Sequence, residues 1–185
     1  AADELYKIEE LARRTTKEIR QMLFTLRPLI LESEGLVAAL QWIATRFEKR
    51  TGIACELRLP QRLPDLPPGV PLVAYRTAQE ALTNITKHAQ ATRVQLDLSL
   101  AGGVLSLEAS DNGRGLGPDD LAKARSFGIR GLRERAGTVG GWVDLSSGSG
   151  GTTLILSIPL ELGVAVEETD EPFIEPSDPS KWGEL

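Results

Sequence analysis

Cysteine occurs once in the 185 residues, as Cys55, so no internal disulfide can form and the fold must stand on packing. A reducing compartment suits such a chain, and the lone thiol reads as core filler. Glycine (18) and proline (11) stay well below a low-complexity share, which excludes collagenous and wholly disordered chains. No apolar run approaches the roughly 20 residues that cross a bilayer, and no charged-then-apolar leader opens the chain. A cytoplasmic fragment is expected, joined to a membrane only through segments upstream of Ala1. A net charge of −5 excludes a generally basic surface, so no direct contact with nucleic acid is expected. There is no internal repeat.

What remains, at 41% hydrophobic and 25% charged residues, is a globular domain of ordinary size with an appendage. Charge is spread unevenly along it. From residue 161 onward Glu161, Glu167, Glu168, Asp170, Glu171, Glu175, Asp178 and Glu184 stand against Lys181 alone, a local balance of −7. With Pro172, Pro176 and Pro179 and no apolar period, residues 161–185 read as an acidic, disordered or loosely docked tail.

At the other end, Leu5, Ile8, Ala12, Thr15, Ile19, Met22 and Leu26 recur alternately three and four apart, the seam of a coiled coil, until Pro28 stops the helix. Such a period predicts a helix bundle formed between chains. A second helix follows, with Leu36, Leu40, Ile43 and Phe47 on one side and an end near Thr51-Gly52. Alternation at Ile53, Cys55, Leu57 and Leu59 predicts a strand, and residues 60–71 a proline-rich loop. Residues 72–89 form a helix whose apolar side is Ala74, Ala78, Ala81, Leu82, Ile85 and Ala89. A hairpin turns at Gly102-Gly103, a glycine-bearing stretch runs from Asp111 to Gly128, and a helix continues to about Val139. Two strands, through Val143 and Leu145 and through Leu154, Leu156 and Ile158, close the pattern. The fold class is α+β: a two-layer α/β sandwich with a sheet of about five strands backed by helices, preceded by the bundle helix.

Four places carry chemistry. Asp111 shares its strand face with Leu105, Leu107 and Ala109, so its carboxylate needs a donor from the protein or from a ligand. Asp111-Asn112-Gly113 alone would be a turn, but no returning strand follows for about 25 residues. Next, Arg76, Glu80, Asn84 and Lys87 form one stripe on the helix of residues 72–89. Alone, that stripe reads as a solvent face. Yet Asn is uncommon inside a helix, and an amide with a carboxylate one turn away can hold a hydrated Mg²⁺ while the lysine offers charge to phosphate. His88, the only histidine, has no partner in sequence to orient it as a base and reads better as a phosphate contact or a capped surface residue. Third, the glycines of Gly128-Ile129-Arg130-Gly131-Leu132 open a helix whose backbone N–H groups suit an anion. The fourth, Gly151-Thr152-Thr153, reads first as a turn before a strand.

In this order the four pieces resemble the N, G1, G2 and G3 boxes of the ATPase superfamily of gyrase, the heat-shock chaperone, mismatch-repair proteins and histidine kinases. Leu26-Arg27-Pro28, Gly35-Leu36 with Ala39-Leu40, Tyr75-Arg76 with Gln79-Glu80-Ala81-Leu82 and Asn84, and Gly131-Leu132-Arg133-Glu134-Arg135 look like two-component sensor histidine kinases of the nitrate-sensor class. The resemblance covers about residues 5–160. It implies ATP and Mg²⁺ as cofactors: Asp111 accepts from the adenine amino group, Asn84 binds Mg²⁺, and Glu80 helps in metal hydration or proton removal. Lys87 and His88 approach the phosphates, Gly113 and Gly115 let the backbone turn near the base, and residues 116–127 form a lid. Gly128, Gly131 and Leu132 cradle phosphate oxygens, and Thr153, before Thr152, supports the adenine through water.

The resemblance further implies three parts. Residues 1–28 are the second helix of a dimerising and phosphotransfer hairpin, residues 29–160 the catalytic ATP-binding domain, and residues 161–185 the tail. Implied partners are a second copy through that hairpin and a response regulator of the DNA-binding type. The phosphoacceptor histidine of such kinases belongs to the first hairpin helix, which these residues do not match, so this piece is not expected to phosphorylate itself. A sister ATPase or regulator serine kinase, and a non-catalytic docking module, remain as alternatives.

Overall fold

The computed structural model describes residues 6–15 and 28–161. Residues 6–15 form helix α1, exposed along its whole length, with Ile8, Ala12 and Thr15 of the predicted seam on it. Leu5, Ile19, Met22, Leu26 and the tail beyond Glu161 lie outside the described residues.

The remaining elements are α2 (Leu29–Thr51), β1 (Ala54–Arg58), α3 (Val70–His88), β2 (Arg93–Ala101), β3 (Val104–Asp111), α4 (Pro118–Lys123), a π-helical turn (Ala124–Gly128), α5 (Arg130–Gly137), β4 (Trp142–Gly148) and β5 (Gly151–Pro159). The strands form one sheet in the order β1-β2-β3-β5-β4. Only β1 and β2 pair in parallel, because α3 carries the chain across between them; the other neighbours are antiparallel. This is the expected α+β sandwich with a mixed five-stranded sheet.

Strand alternation puts the apolar residues on one face. Val94, Leu96 and Leu98 of β2, Leu105, Leu107 and Ala109 of β3, and Leu154, Leu156 and Ile158 of β5 are all buried there. Ala39, Leu40, Ile43 and Phe47 of α2, Ala74, Ala78, Ala81 and Leu82 of α3, and Leu132 and Ala136 of α5 complete the core. The opposite sheet face carries Gln95, Asp97, Ser106, Glu108 and Ser110, which is the alternation of a sheet covered on one side only.

Three local readings need adjustment. The second helix begins at Leu29 and bends at Gly35, where φ is 83° and ψ −179°. The third begins at Val70, two residues earlier than the periodicity predicts, because Pro71 falls in the first turn, where no N–H is required of it. The stretch from Asp111 to Gly128 is irregular only to Gly117; its second half is α4 and the π turn. Cys55 is half-buried on β1, and burial, with the Glu48 carboxylate adding, pushes its thiol up to about 11, so it stays protonated at neutral pH.

Candidate functional site

Helix α3 presents its apolar side to the sheet, which turns the stripe of Arg76, Glu80, Asn84 and Lys87 toward α2 and α5. The stripe is not the solvent face its isolated periodicity suggests. Arg76 is only 8% exposed, Glu80 and Asn84 are half-buried, and Lys87 alone is exposed. Arg135 of α5 donates from Nη2 to Glu80 Oε2, forming an ion pair between the two helices. Arg76 Nη1 donates to Gln79 Oε1 at 2.7 Å. Burial draws the Arg76 guanidinium below its ordinary value; Tyr75 opposes that and Arg135 reinforces it.

Asp111 ends β3, opposite Val94 on β2. Its half-buried carboxylate is divided between two surroundings. Oδ1 accepts the Gly113 N–H at 2.8 Å, whereas Oδ2 meets no donor among the described residues. The neighbouring Asn112 is exposed, yet both polar atoms of its side chain are engaged by the protein. Its Oδ1 accepts the N–H groups of Thr92 (3.0 Å) and Arg93 (2.9 Å), and its Nδ2 donates to Thr92 Oγ1 at 3.0 Å. This clamp sets the direction in which Asp111 leaves the strand. The sequence offers no signal for it beyond a turn-forming residue.

The two glycines after Asp111 are required by the protein's own backbone. A Cβ on Gly113 would stand 2.1 Å from the Ala89 carbonyl oxygen, just past the end of α3. The same junction is tied by Arg114, whose N–H donates to Ala89 O at 2.8 Å and whose Nε donates to His88 O at 3.0 Å. Gly115 has φ of 67°, and a Cβ there would meet Gly148 O at 1.8 Å. The end of α3, the end of β3 and the β4–β5 turn are thereby drawn together around Asp111.

Between them lies a cavity of about 260 Å³. Ala81, Ile85, Ala109, Leu116, Ile129 and Leu154 give it apolar walls, and Asn84, His88, Asp111 and Thr152 are its polar members. A broader groove of about 1190 Å³ opens beside it between α2 and α3 and takes in Glu80, Asn84, Lys87 and Arg135. Asn84 lines both. Among the described residues no group of three His, Cys, Asp or Glu gathers as a metal cage, so any metal here would be held by few protein ligands and completed by others.

The expected residues thus fall into sets. Asn84, His88, Asp111, Gly115, Gly128 and Thr152 line the cavity; Glu80 and Lys87 line the groove; Gly113 sits behind Asp111. Leu132 is fully buried in the core, so only its backbone is available to a ligand. Strand alternation sends Thr153, the expected adenine support, and Thr152, the second choice, to opposite faces of the sheet. Thr153 Oγ1 lies on the far sheet face, 2.8 Å from Ser110 Oγ, while Thr152 Oγ1 faces the cavity side, 2.8 Å from Ser147 Oγ. Ser147 also accepts the Leu116 N–H at 2.7 Å and so pins the start of the expected lid. Arg125 fastens the π turn to β4 by donating from Nε to Leu145 O at 2.7 Å. Helix α5 then begins at Arg130, and its N-cap residue Ile129 offers no side-chain cap, which leaves first-turn N–H groups for other acceptors.

The profile of a family described as "Histidine kinase-, DNA gyrase B-, and HSP90-like ATPase" matches residues 69–162, a span that holds every candidate residue from Glu80 to Thr153. Sensor histidine kinase LiaS of Bacillus subtilis is 32% identical over 154 residues, 83% of this chain and 42% of that protein. Oxygen sensor histidine kinase NreB of Staphylococcus carnosus is 33% identical over 159 residues, 85% of this chain and 46% of its own length. Among solved structures, the histidine kinase domain of the Erythrobacter litoralis EL346 blue-light activated histidine kinase superposes with a TM-score of 0.55 at 27% identity, covering 65% of this chain and 59% of that one. The chain spans less than half the length of these curated relatives.

Proposed function

Because this chain belongs to the histidine kinase-, DNA gyrase B-, and HSP90-like ATPase family, we propose that the cavity beside Asp111 binds the adenine of ATP and that residues 29–160 are the catalytic domain of a sensor histidine kinase. The observation that carries this reading is the carboxylate with one oxygen satisfied and the other, Oδ2, without a donor among the described residues, at a cavity with apolar walls. A purine amino group is the donor such an oxygen lacks, and a planar base suits aliphatic walls.

The chain's other residues take complementary parts. Thr152 reaches the base through water, with its hydroxyl held by Ser147. Asn84, at the junction of cavity and groove, supplies an amide oxygen to a hydrated Mg²⁺, and its donor set suits a small hard cation that keeps most of its ligands as water and phosphate. Glu80, one turn before it and held by Arg135, orients water near that cation or receives a proton. Lys87 and His88 bring positive charge or a hydrogen bond to the phosphates. The backbone N–H groups of Gly128, Gly131 and Leu132 at the uncapped start of α5 serve the same anion. When bound, ATP supplies the γ-phosphoryl group for transfer to a histidine of the dimerising hairpin, to which residues 1–28 contribute one helix. From there it passes to an aspartate of a response regulator of the DNA-binding type. The domain itself works by positioning and charge stabilisation.

Titration calorimetry of the full chain with Mg·ATP tests this. Wild-type protein should bind, and Asp111→Ala should lose binding while its circular dichroism spectrum is unchanged. Wild-type affinity in the variant would remove Asp111 from the site and the reading with it.

A further inference from the structure

Strand β4 closes one side of the sheet, so the backbone edge that it turns away from β5 needs partners of its own. Two arginines supply them. Leu145 O accepts from Arg125 Nε at 2.7 Å, and Val143 O accepts from Arg133 Nε at 3.4 Å. Two positions apart on an antiparallel strand, these carbonyls point to the same side. The Leu145 N–H is taken by Asp144 Oδ1 at 2.8 Å. Arg133 reaches further, because its Nη1 also donates at 2.6 Å to Arg125 O, within the π turn. One guanidinium thus ties α5 to both the turn and β4, while the other ties the turn to β4.

These bonds settle where the expected lid lies. Its start is held on β4 by Ser147 Oγ, which accepts the Leu116 N–H, and its end is held on the same strand by the two arginines. Helix α4 between them fully buries none of its residues, so the segment is placed by its two ends more than by packing. The end that the arginines hold belongs to the site. Ala124, Gly128 and Ile129 line the cavity together with Asp111, and α5 starts there with its first-turn N–H groups uncapped. Neither arginine lines the cavity itself.

We infer that Arg125 and Arg133 form a clasp that positions the cavity wall at Ala124 and Gly128 and the phosphate-facing start of α5. The inference rests on the ATP reading of that cavity. Both side chains act through the backbone they hold, which makes them positioning residues. Their acceptors are neutral carbonyls, so the clasp uses the planar fork of the guanidinium rather than its charge. An ammonium at position 133 keeps the charge but does not span Arg125 O and Val143 O with the same geometry. The Asp144 carboxylate lies 3.8 Å from Arg125 with both side chains exposed, so that ion pair adds little.

Hydrogen exchange of the full chain without nucleotide, followed by mass spectrometry, tests the clasp first. In Arg133→Lys, exchange across residues 116–131 should rise about tenfold, with β2 at the wild-type rate and the urea midpoint unchanged. Stopped-flow with Mg²⁺ and a fluorescent ATP analogue should then show dissociation about tenfold faster and association within about twofold of wild type. Arg125→Lys should act alike, and the double variant should be no worse than either single one, since each loss opens the same clasp. Unchanged exchange at residues 116–131 overturns the inference, as do additive losses in the double variant. So does a general rise in exchange with a lower urea midpoint, or association and dissociation altered alike. Wild-type protein that shows the exchange contrast yet binds no analogue would refute the ATP reading instead.

Discussion

Asp111 and Asn112 stand side by side at the end of β3 and are used in opposite ways. Asn112 spends its side chain on Thr92 and Arg93, while Asp111 gives one oxygen to Gly113 and keeps the other for the cavity. Half-buried, that second oxygen can take a donor from water or from a ligand. Asn84 belongs to the same scale. It sits where cavity and groove meet, and its neighbour Glu80 is committed to Arg135. We expect Asn84→Ala to remove about 1.5–3 kcal/mol of binding, tenfold or more in affinity, from the Mg²⁺-dependent part alone. Calorimetry with and without Mg²⁺ checks this; equal losses in the two conditions would deny Asn84 a role at the metal.

Among elements, the junction of α3 with the loop after Asp111 decides the site's shape. The helix delivers Asn84 and His88 to the cavity only because the loop closes onto the Ala89 carbonyl, and that approach leaves no room for a Cβ at residue 113. Gly113→Ala should therefore push the loop from the helix and cost about 1–3 kcal/mol in urea unfolding, with weaker nucleotide binding. Gly117→Ala is the matched control, because nothing lies within 4 Å of its Cβ position and its φ is −66°, so its stability should stay near wild type. The alternation of β2 and β3, the apolar side of α3 and the hairpin at Gly102-Gly103 were legible in the sequence, since each depends on neighbours two to four residues away. Helix α4 and the π turn were not. Their six and five residues are too few for a period to declare itself.

For the whole molecule, a sheet covered on one face puts all the candidate chemistry at one end of the helix layer. His88, the only histidine in the 185 residues, lines the cavity itself. Under the proposed reading it is a nucleotide contact and not the phosphoryl acceptor. We expect the chain incubated with γ-labelled ATP to form no acid-labile phosphohistidine, and to label a supplied hairpin that carries its own histidine. Phosphoserine on a partner instead would reassign the reaction class.

Residue spacing by itself determined the strands, the buried sides of α2 and α3 and the order of the four motifs, because backbone periodicity and glycine's missing side chain act over a few neighbouring residues. It also marked Asp111 as a carboxylate in need of a donor. Only the tertiary structure decided that Arg135 closes on Glu80 across fifty-five positions of chain, that Asn112 clamps the loop to Thr92 and Arg93, and that Thr153 pairs with Ser110. Those contacts join elements far apart in the sequence, and their geometry exists only once the helices have packed on the sheet.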